Sequence, residues 1–305
     1  MDNVISVIGH TAYDHLFDIT RFAEINSSMP IAGYHIYYGG GAANIAAGIA
    51  RLGGNSQLIS PVGSDFKDSD YEQHLERLGV DTSLMCHLEE EMTASAFIYT
   101  DENHDQITYF YWGASKLFPE LEPPTLKFVH LATADPVFNS KAAQLADFVS
   151  FDPGQDLVVY PKECLETILT HTNILFTNRH EIERLSQMIG RTREDLEADI
   201  GIVVVTLDKG GSEIHLDGKR LFIPAIQVQA MDPTGAGDAY RVGFLVAYTR
   251  GYSLEICGRV GSTTASFAVE KVGCQTNLPT WEQMRVRFND HYKDFELYLT
   301  GLYTA

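Results

Sequence analysis

The sequence predicts an α/β protein: a doubly wound, mostly parallel sheet with helices on both faces, plus a small β-sheet beside it. Three observations carry this. From residue 128 onward, apolar strand-like runs alternate with helical patterns, an order that builds parallel sheets through crossover helices. The chain opens with a short apolar run, 4–8, ended by Gly9, as a strand buried on both faces reads. Two glycine-rich stretches, Gly39-Gly40-Gly41 and Gly235-Ala236-Gly237, each open a run of small apolar residues with helical periodicity.

Composition bounds the rest. At 305 residues the chain fits a single domain spanning 1–305. Its net charge of −19 argues against nucleic acid or an anionic membrane as a partner. The start lacks a basic leader, and no run reaches transmembrane length. Cys86, Cys164, Cys257 and Cys274 lack metal-site spacing and imply no disulfide framework. The expectation is a cytoplasmic protein.

In chain order, Asp14 stands just past the first strand, where polar residues line the crevices of parallel sheets. Residues 16–23 and 31–38 read as strands of the side sheet. A small-residue helix follows from Gly41, then a strand at 57–62 and a helix from about 68 to 78. Residues 93–100 and 106–112 form a second strand pair around a polar hairpin tip, 101–105. Alternation puts Tyr109 and Tyr111 on one face, Phe110 and Trp112 on the other. One face can stack on a nucleobase, or the aromatics can simply pack the small sheet or a dimer contact.

The alternating half follows: strand 128–132, a helix near 139–148, strand 149–152, a helix from Pro161 to 169, and strand 173–176. Asn178 opens the next helix, to 188. Strand 202–205, a hairpin at 212–215 and 220–224, and two further helices, one from Gly237 and one over 253–269, come next. An amphipathic helix from Trp281 and a tail of unknown role close the chain.

Chemistry concentrates at Asp232-Pro233-Thr234-Gly235-Ala236-Gly237-Asp238. The nearly bare backbone of Gly235, Ala236 and Gly237 opens a helix, where unpaired amides and the helix dipole favour an anion. Asp238 beside that cradle suits a base that takes a hydroxyl proton during phosphoryl transfer. Arg241, one turn on, can neutralise phosphate, touch the acceptor or pair with a carboxylate.

This stretch resembles the C-terminal signature of the ribokinase-like (PfkB-type) carbohydrate and nucleoside kinases, with Pro233 where Thr or Ser is usual. Gly40, Gly41 and Asn44 resemble the family's N-terminal G-G-x-x-x-N signature. Asn178-Arg179-His180-Glu181 resembles its N-x-x-E motif, and 206–211 its T-x-G-x-x-G loop, with Asp208 in place of the first glycine. The order and spacing cover nearly the whole chain. No Walker A, G-x-S-x-G, H-E-x-x-H or metal-spaced Cys/His set competes.

The resemblance implies an ATP-dependent kinase with Mg²⁺. Asp14, Gly40, Gly41 and Asn44 would hold the acceptor, and the strands at about 15–38 and 92–113 would form a lid. Asn178 and Glu181 would organise Mg²⁺ through water, a reading compatible with their being a helix-capping pair. Thr206, Gly211, Asn178, Ser262 and Gly273 would contact the nucleotide. Asp232, Thr234, Ala268, Lys271, Gly273 and Asn277 would surround a K⁺ ion, mostly through carbonyls. The motifs look closest to archaeal-type nucleoside kinases, so a nucleoside is the expected acceptor. A free sugar such as ribose or fructose is the alternative, and a catalytically silent nucleotide sensor ranks below both. Only Arg21 and Lys116 stand near Asp14 and the lid, which disfavours a sugar phosphate. A lid rich in Tyr, Phe and Ile is expected to pair into a homodimer.

Overall fold

The computed structural model describes residues 4–103 and 105–292. The first three residues, His104 of the expected hairpin tip and the C-terminal tail lie outside the described residues. Strand β1 (Val4–Ile8) runs through a three-residue link into β2 (Ala12–Ile19), which pairs with β3 (Ile31–Gly39). Helix α1 (Gly41–Arg51), β4 (Asn55–Ile59) and β5 (Pro61–Gly63) follow. Then come α2 (Asp70–Leu78), β6 (Cys86–Leu88), β7 (Ala94–Thr100) and β8 (Gln106–Tyr111).

A 3₁₀ helix, Gly113–Glu120, leads to β9 (Leu126–Leu131), α3 (Pro136–Leu145) and β10 (Ala146–Phe151). A second, Gly154–Val159, precedes α4 (Lys162–His171), β11 (Thr172–Asn178), α5 (Arg179–Ile189) and α6 (Arg193–Asp199). The chain closes with β12 (Ile202–Thr206), the hairpin β13 (Ser212–Leu216) and β14 (Lys219–Ile223), then α7 (Ala236–Thr249), α8 (Leu254–Ala268) and α9 (Trp281–Tyr292).

The main sheet has the order β14-β13-β12-β11-β10-β9-β1-β4. Strands β4 to β12 of that order run parallel, and the β12–β13 and β13–β14 pairings are antiparallel. Side-chain alternation feeds two cores. Val7, Ile174, Phe176 and Val204 pack with α1, α7 and α8, whereas Ile8, Leu175, Val203 and Val205 pack with α3, α4 and α5. This is the expected doubly wound fold. Because β1 lies between β4 and β9, the winding direction reverses there, and the crevice at the carboxyl ends of those strands is where such sheets bind ligands. Among the described residues no helix is long and apolar enough to cross a membrane.

The second sheet has the order β3-β2-β7-β8 and sits beside that crevice. Its register places Asp14, Tyr37, Ala96 and Phe110 on one face, and His15, Ile36, Phe97 and Tyr109 on the other.

Four local expectations need correction. Asp14 lies inside β2, because that strand starts at Ala12 rather than Leu16. The run 57–62 is two strands, β4 in the main sheet and β5 paired with β6, broken at Ser60. The helix expected to reach Phe148 stops at Leu145, because Ala146 and Phe148 pair with Leu126 and Phe128. Sequence periodicity continues across that point, and only the partner strand decides. Helix α6 was not anticipated, although Thr192 and Asp195 form a capping box at its start.

Helices α7 and α8 cross closely because Gly243 has no side chain. A Cβ there would lie 2.5 Å from Thr264 Oγ1 and 2.6 Å from the Val260 carbonyl. Gly243→Ala therefore should destabilise the protein by about 1–3 kcal/mol through overpacking, although alanine is the better helix former. A denaturant midpoint equal to or above the parent's would contradict this.

Candidate active site

The loop before α7 is tied to the end of α8. The amides of Met231 and Asp232 both donate to Val269 O, at 2.7 and 3.2 Å. The Asp232 carboxylate folds back, accepting from Thr234 N at 2.9 Å and Gly273 N at 3.4 Å. Gly235 is the N-cap at φ 78°, a left-handed conformation that favours glycine, and a Cβ there would press on Cys274 Sγ at 2.9 Å. No side chain caps this helix. The Ala236 amide bonds Pro233 O at 3.2 Å, while those of Gly235 and Gly237 have no acceptor among the described residues. The result is an anion cradle of free amides at the positive end of α7.

Asp238 stands in the first turn of α7 with 21% of its side chain accessible. Its Oδ2 accepts from Asn44 Nδ2 at 3.0 Å, and its Oδ1 lies 3.5 Å from Arg241 Nη1. Burial pushes its pKa up against the pull of Arg241 and of the Asn44 hydrogen bond. A raised carboxylate pKa makes a stronger base.

Asn44 is itself fixed. Gln275 Nε2 donates to Asn44 Oδ1 at 3.0 Å and to Tyr71 Oη at 2.8 Å, and the Tyr71 hydroxyl donates to Gly39 O at 2.7 Å. This chain settles which end of the Asn44 amide meets Asp238. Gly40, at φ 88°, ends β3 and caps α1; a Cβ there would collide with the His10 carbonyl. Gly41 follows, with room for a Cβ only 2.9 Å from Thr133 Oγ1. The start of α1 is thus pressed onto the ends of β1 and β9.

Asp14 packs over Gly39, where any side chain would collide with its carboxylate. Burial first, then the charges of Asp238 and Asp232, push its pKa up to about 7. Asp14, Asp232 and Asp238 therefore converge from β2, the loop and α7. Such a cluster favours a ligand that brings hydrogen-bond donors.

At the end of β11, Asn178 and Glu181 form a capping box. The Asn178 side chain accepts from His180 N and Glu181 N at 2.8 and 2.9 Å, and Glu181 Oε2 accepts from Asn178 N at 2.8 Å. Among the described residues no three His, Cys, Asp or Glu side chains stand close enough to hold a metal by themselves. This donor set fits a hydrated Mg²⁺ carried by phosphates, not a protein cage.

Thr206 Oγ1 donates to Thr177 O at 3.3 Å. Asp208 adopts φ 52°, so the aspartate keeps the left-handed turn, and it pairs with Arg179 at 2.9 Å. Gly211 has φ 107°, and a Cβ there would strike the Ile223 carbonyl. Ser262 accepts from Ile226 N at 3.3 Å and donates to Pro224 O at 3.2 Å, tying the exit of β14 to α8. Around Asp232 and Thr234, Gly273 is backed by Tyr37, Asn277 Nδ2 donates to Phe267 O at 2.6 Å, and Lys271 N approaches Ala268 O at 3.5 Å.

Asp14, Asn44, Asp232, Asp238 and the Gly40–Gly41 backbone thus meet in one cleft. Three participants were not singled out from sequence. Gln275 and Tyr71 left no trace in it. Asp152 did, because it follows β10 as a polar residue at the carboxyl edge, the same signal that marked Asp14. Arg241 pairs with carboxylates: its Nη2 lies 2.6 Å from Asp152 Oδ1.

The aromatic cluster of β8 splits. Phe110 and Trp112 pack on His10, at 5.3 and 5.2 Å between ring centroids, beside the end of β1. His10 is buried, with Nδ1 3.0 Å from Ser115 Oγ and Nε2 3.2 Å from Asp156 Oδ2. Tyr109 and Tyr111 turn outward, 64% and 46% exposed.

A parallel sheet with free helix-start amides beside a carboxylate whose pKa burial raises is the framework of a phosphotransferase acting on an alcohol. Comparison with known proteins agrees. Residues 2–281 match the pfkB family of carbohydrate kinases. The chain is 49% identical over 293 residues to a nucleoside kinase of Methanocaldococcus jannaschii, covering 94% of this chain and 97% of the relative. It is 43% identical over 297 residues to a nucleoside kinase of Methanothermobacter thermautotrophicus, covering 94% and 96%. The crystal structure of the M. jannaschii nucleoside kinase, an archaeal member of the ribokinase family, matches with a TM-score of 0.91 at 48% identity, over 95% of this chain and 99% of that one. Burkholderia thailandensis nucleoside kinase in complex with inosine shares the fold, with a TM-score of 0.86 at 24% identity over 95% and 99%. This protein belongs to the pfkB family of carbohydrate kinases and is an ATP-dependent kinase.

Asp238→Asn is expected to keep acceptor binding but to lower turnover by roughly 10²–10⁴, the usual worth of a general base. Near-parent kcat would remove Asp238 from that role.

Proposed function

We propose that this kinase phosphorylates a nucleoside, transferring the γ-phosphoryl group of ATP to the hydroxymethyl oxygen of the sugar. One observation carries the choice of acceptor: Phe110 lies on the same face of the second sheet as Asp14, beside His10 and Trp112. A sugar held by Asp14 has a flat aromatic surface within the same cleft for its base. The nucleoside kinases of M. jannaschii and M. thermautotrophicus, at 49% and 43% identity, support the same reading.

In this mechanism, vicinal hydroxyls donate to Asp14, offsetting the repulsion among Asp14, Asp232 and Asp238. The hydroxymethyl oxygen faces Asp238 and attacks the γ-phosphorus as Asp238 takes its proton. The bond from the γ-phosphorus to the bridging oxygen breaks, and ADP leaves. The free amides of Gly235 and Gly237 stabilise the charge on the transferring group. Asn44 holds the Asp238 carboxylate in line through Oδ2. Mg²⁺ on the phosphates would supply further charge neutralisation, oriented by Asn178 and Glu181 through water. A K⁺ ion at the loops bearing Asp232, Thr234, Ala268, Lys271, Gly273 and Asn277 would stiffen the cradle. Thr206, Gly211, Ser262 and Gly273 border the nucleotide.

The second sheet serves as a lid and as a dimer surface. Its outer face exposes Tyr34, Ile36, Ile107, Tyr109 and Tyr111 side by side around the stacked rings of Phe17, Tyr34 and Tyr99. Contiguous apolar surface of this kind is rarely left in water, and a second copy covers it well.

Two measurements test these readings. ATP consumption should be driven by at least one of adenosine, inosine, guanosine and cytidine, and Phe110→Ala should raise the nucleoside KM roughly tenfold through lost stacking. Turnover with ribose or fructose alone would overturn the nucleoside assignment. Light scattering at micromolar concentration should give a dimer, and Ile36→Glu with Tyr109→Glu should give a monomer. A monomeric parent would sink the lid interface.

A further inference from the structure

Arg241 is buried at 9% exposure inside a cleft otherwise crowded with carboxylates. Its two terminal nitrogens reach different acids. Nη2 lies 2.6 Å from Asp152 Oδ1, whereas Nη1 stands 3.5 Å from Asp238 Oδ1. Gly237 makes room for this arrangement, since the guanidinium fills the space a side chain would take; a Cβ there would lie 2.7 Å from Nη1. The short contact is anchored from behind. Asp152 follows β10, its amide donates to Leu131 O at 2.8 Å, and its Oδ1 accepts from Gly154 N at 3.1 Å.

These distances matter to a base. A guanidinium clamped in two-point contact would stabilise the anion so well that it would give up its affinity for a proton. With no cation nearby, burial would push the Asp238 carboxyl further above its usual range, favouring the protonated form that cannot act as a base. A cation at an intermediate distance avoids both outcomes. We propose that Asp152 is a positioning residue: it draws Arg241 to itself, so that the guanidinium stands beside Asp238 without clamping it, and Asp238 stays ionised yet able to take the acceptor's proton. This inference rests on Asp238 being the general base.

The groups facing Asp238 are known from each packed element. Asn44 comes from α1, Arg241 from α7, Asp14 from β2, Asp232 and Cys274 from the two loops, Asp152 from the end of β10, and Glu181 from α5 behind the Asp152–Arg241 pair. Arg241 is the only cation in this set. Burial, with Glu181 and Asp238 adding repulsion, pushes the Asp152 carboxyl above the usual range, and Arg241 pulls against that shift, so the ionised form that draws the guanidinium depends on the pair itself. A purely architectural role for the buried pair, fixing the β10 end to α7, is the competing explanation.

The two roles separate in the pH dependence of kcat. Turnover with MgATP would be measured against pH for the parent, Arg241→Gln, Asp152→Asn, the double variant and Asp238→Asn, using the best acceptor among adenosine, inosine, guanosine and cytidine. Losing the cation raises the pKa of Asp238, so the acidic limb of Arg241→Gln should move up by about one pH unit. Asp152→Asn releases Arg241 onto Asp238, so its limb should move down. A lost structural contact lowers stability without splitting the limbs. The double variant separates positioning from simple loss of the Asp152 charge: with Arg241 absent, Asp152→Asn should move the limb no further from that of Arg241→Gln. If Arg241→Gln fails to fold around the unpaired Asp152, the neutral double variant carries the comparison. Its limb should lie above that of Asp152→Asn. Single-variant limbs that coincide, or that move in the same direction, would overturn the proposal while Asp238→Asn remains inactive. Near-parent turnover by Asp238→Asn would instead reject the base assignment beneath it.

Discussion

The arrangement depends on a carboxylate kept half-buried at the start of a helix, where it is worst solvated and most reactive. Asp238 costs free energy to hold there, and the surrounding structure consists largely of the groups that make it tolerable. Asn44 and Arg241 approach from α1 and α7, Gln275 and Tyr71 fix Asn44, and Asp152 fixes Arg241. None of these works without close helix packing. Gly243 brings α8 against α7, and the glycines at 39–41 bring α1 against the strand ends.

That hierarchy explains what the sequence made legible. Glycines at turns, small residues at crossings and β-branched strands are local requirements, so Gly40, Gly41, Gly235 and Gly237 and the parallel core were readable directly. Asp238 stood out as a carboxylate beside a glycine-rich helix start, whereas Asn44 was marked only by the resemblance to the family's N-terminal signature; the structure brings the two within 3.0 Å. Gln275 carried no mark of either kind. It acts on Asn44 across 231 residues of chain, from a loop with no distinguishing pattern. The boundary between α3 and β10 was equally hidden, since Ala146-Asp147-Phe148 suits either state and the pairing with β9 selects the strand.

The aromatic run at 109–112 shows the same limit from another side. Alternation correctly separated the tyrosines from Phe110 and Trp112, but it does not say which face looks inward. Only the register with Asp14 through Ala96 answers that. The answer assigns a different task to each pair: Phe110 and Trp112 border the cleft, and the tyrosines belong to the outer surface. Asp208 is a milder case. This aspartate, which stands where the resembled motif has glycine, adopts the left-handed turn and gains an ion pair with Arg179. That pair is exposed, so the tolerance of aspartate for positive φ matters more than the charge.

The way the second sheet is attached has a mechanical consequence. Only Gly9, His10 and Thr11 separate β1 from β2, and Gly40 alone separates β3 from α1. Both strands are therefore clamped to the main sheet at the same end, while the turn between β2 and β3 and the tip between β7 and β8 lie at the opposite end. The sheet is a lever with its fulcrum at the cleft. Any rotation about that attachment leaves Asp14 nearly in place and sweeps the far ends of β3 and β8 through the widest arc. The geometry around Asp14, near the fulcrum, would thus be insulated from such a rotation, and the outer aromatic surface would travel furthest.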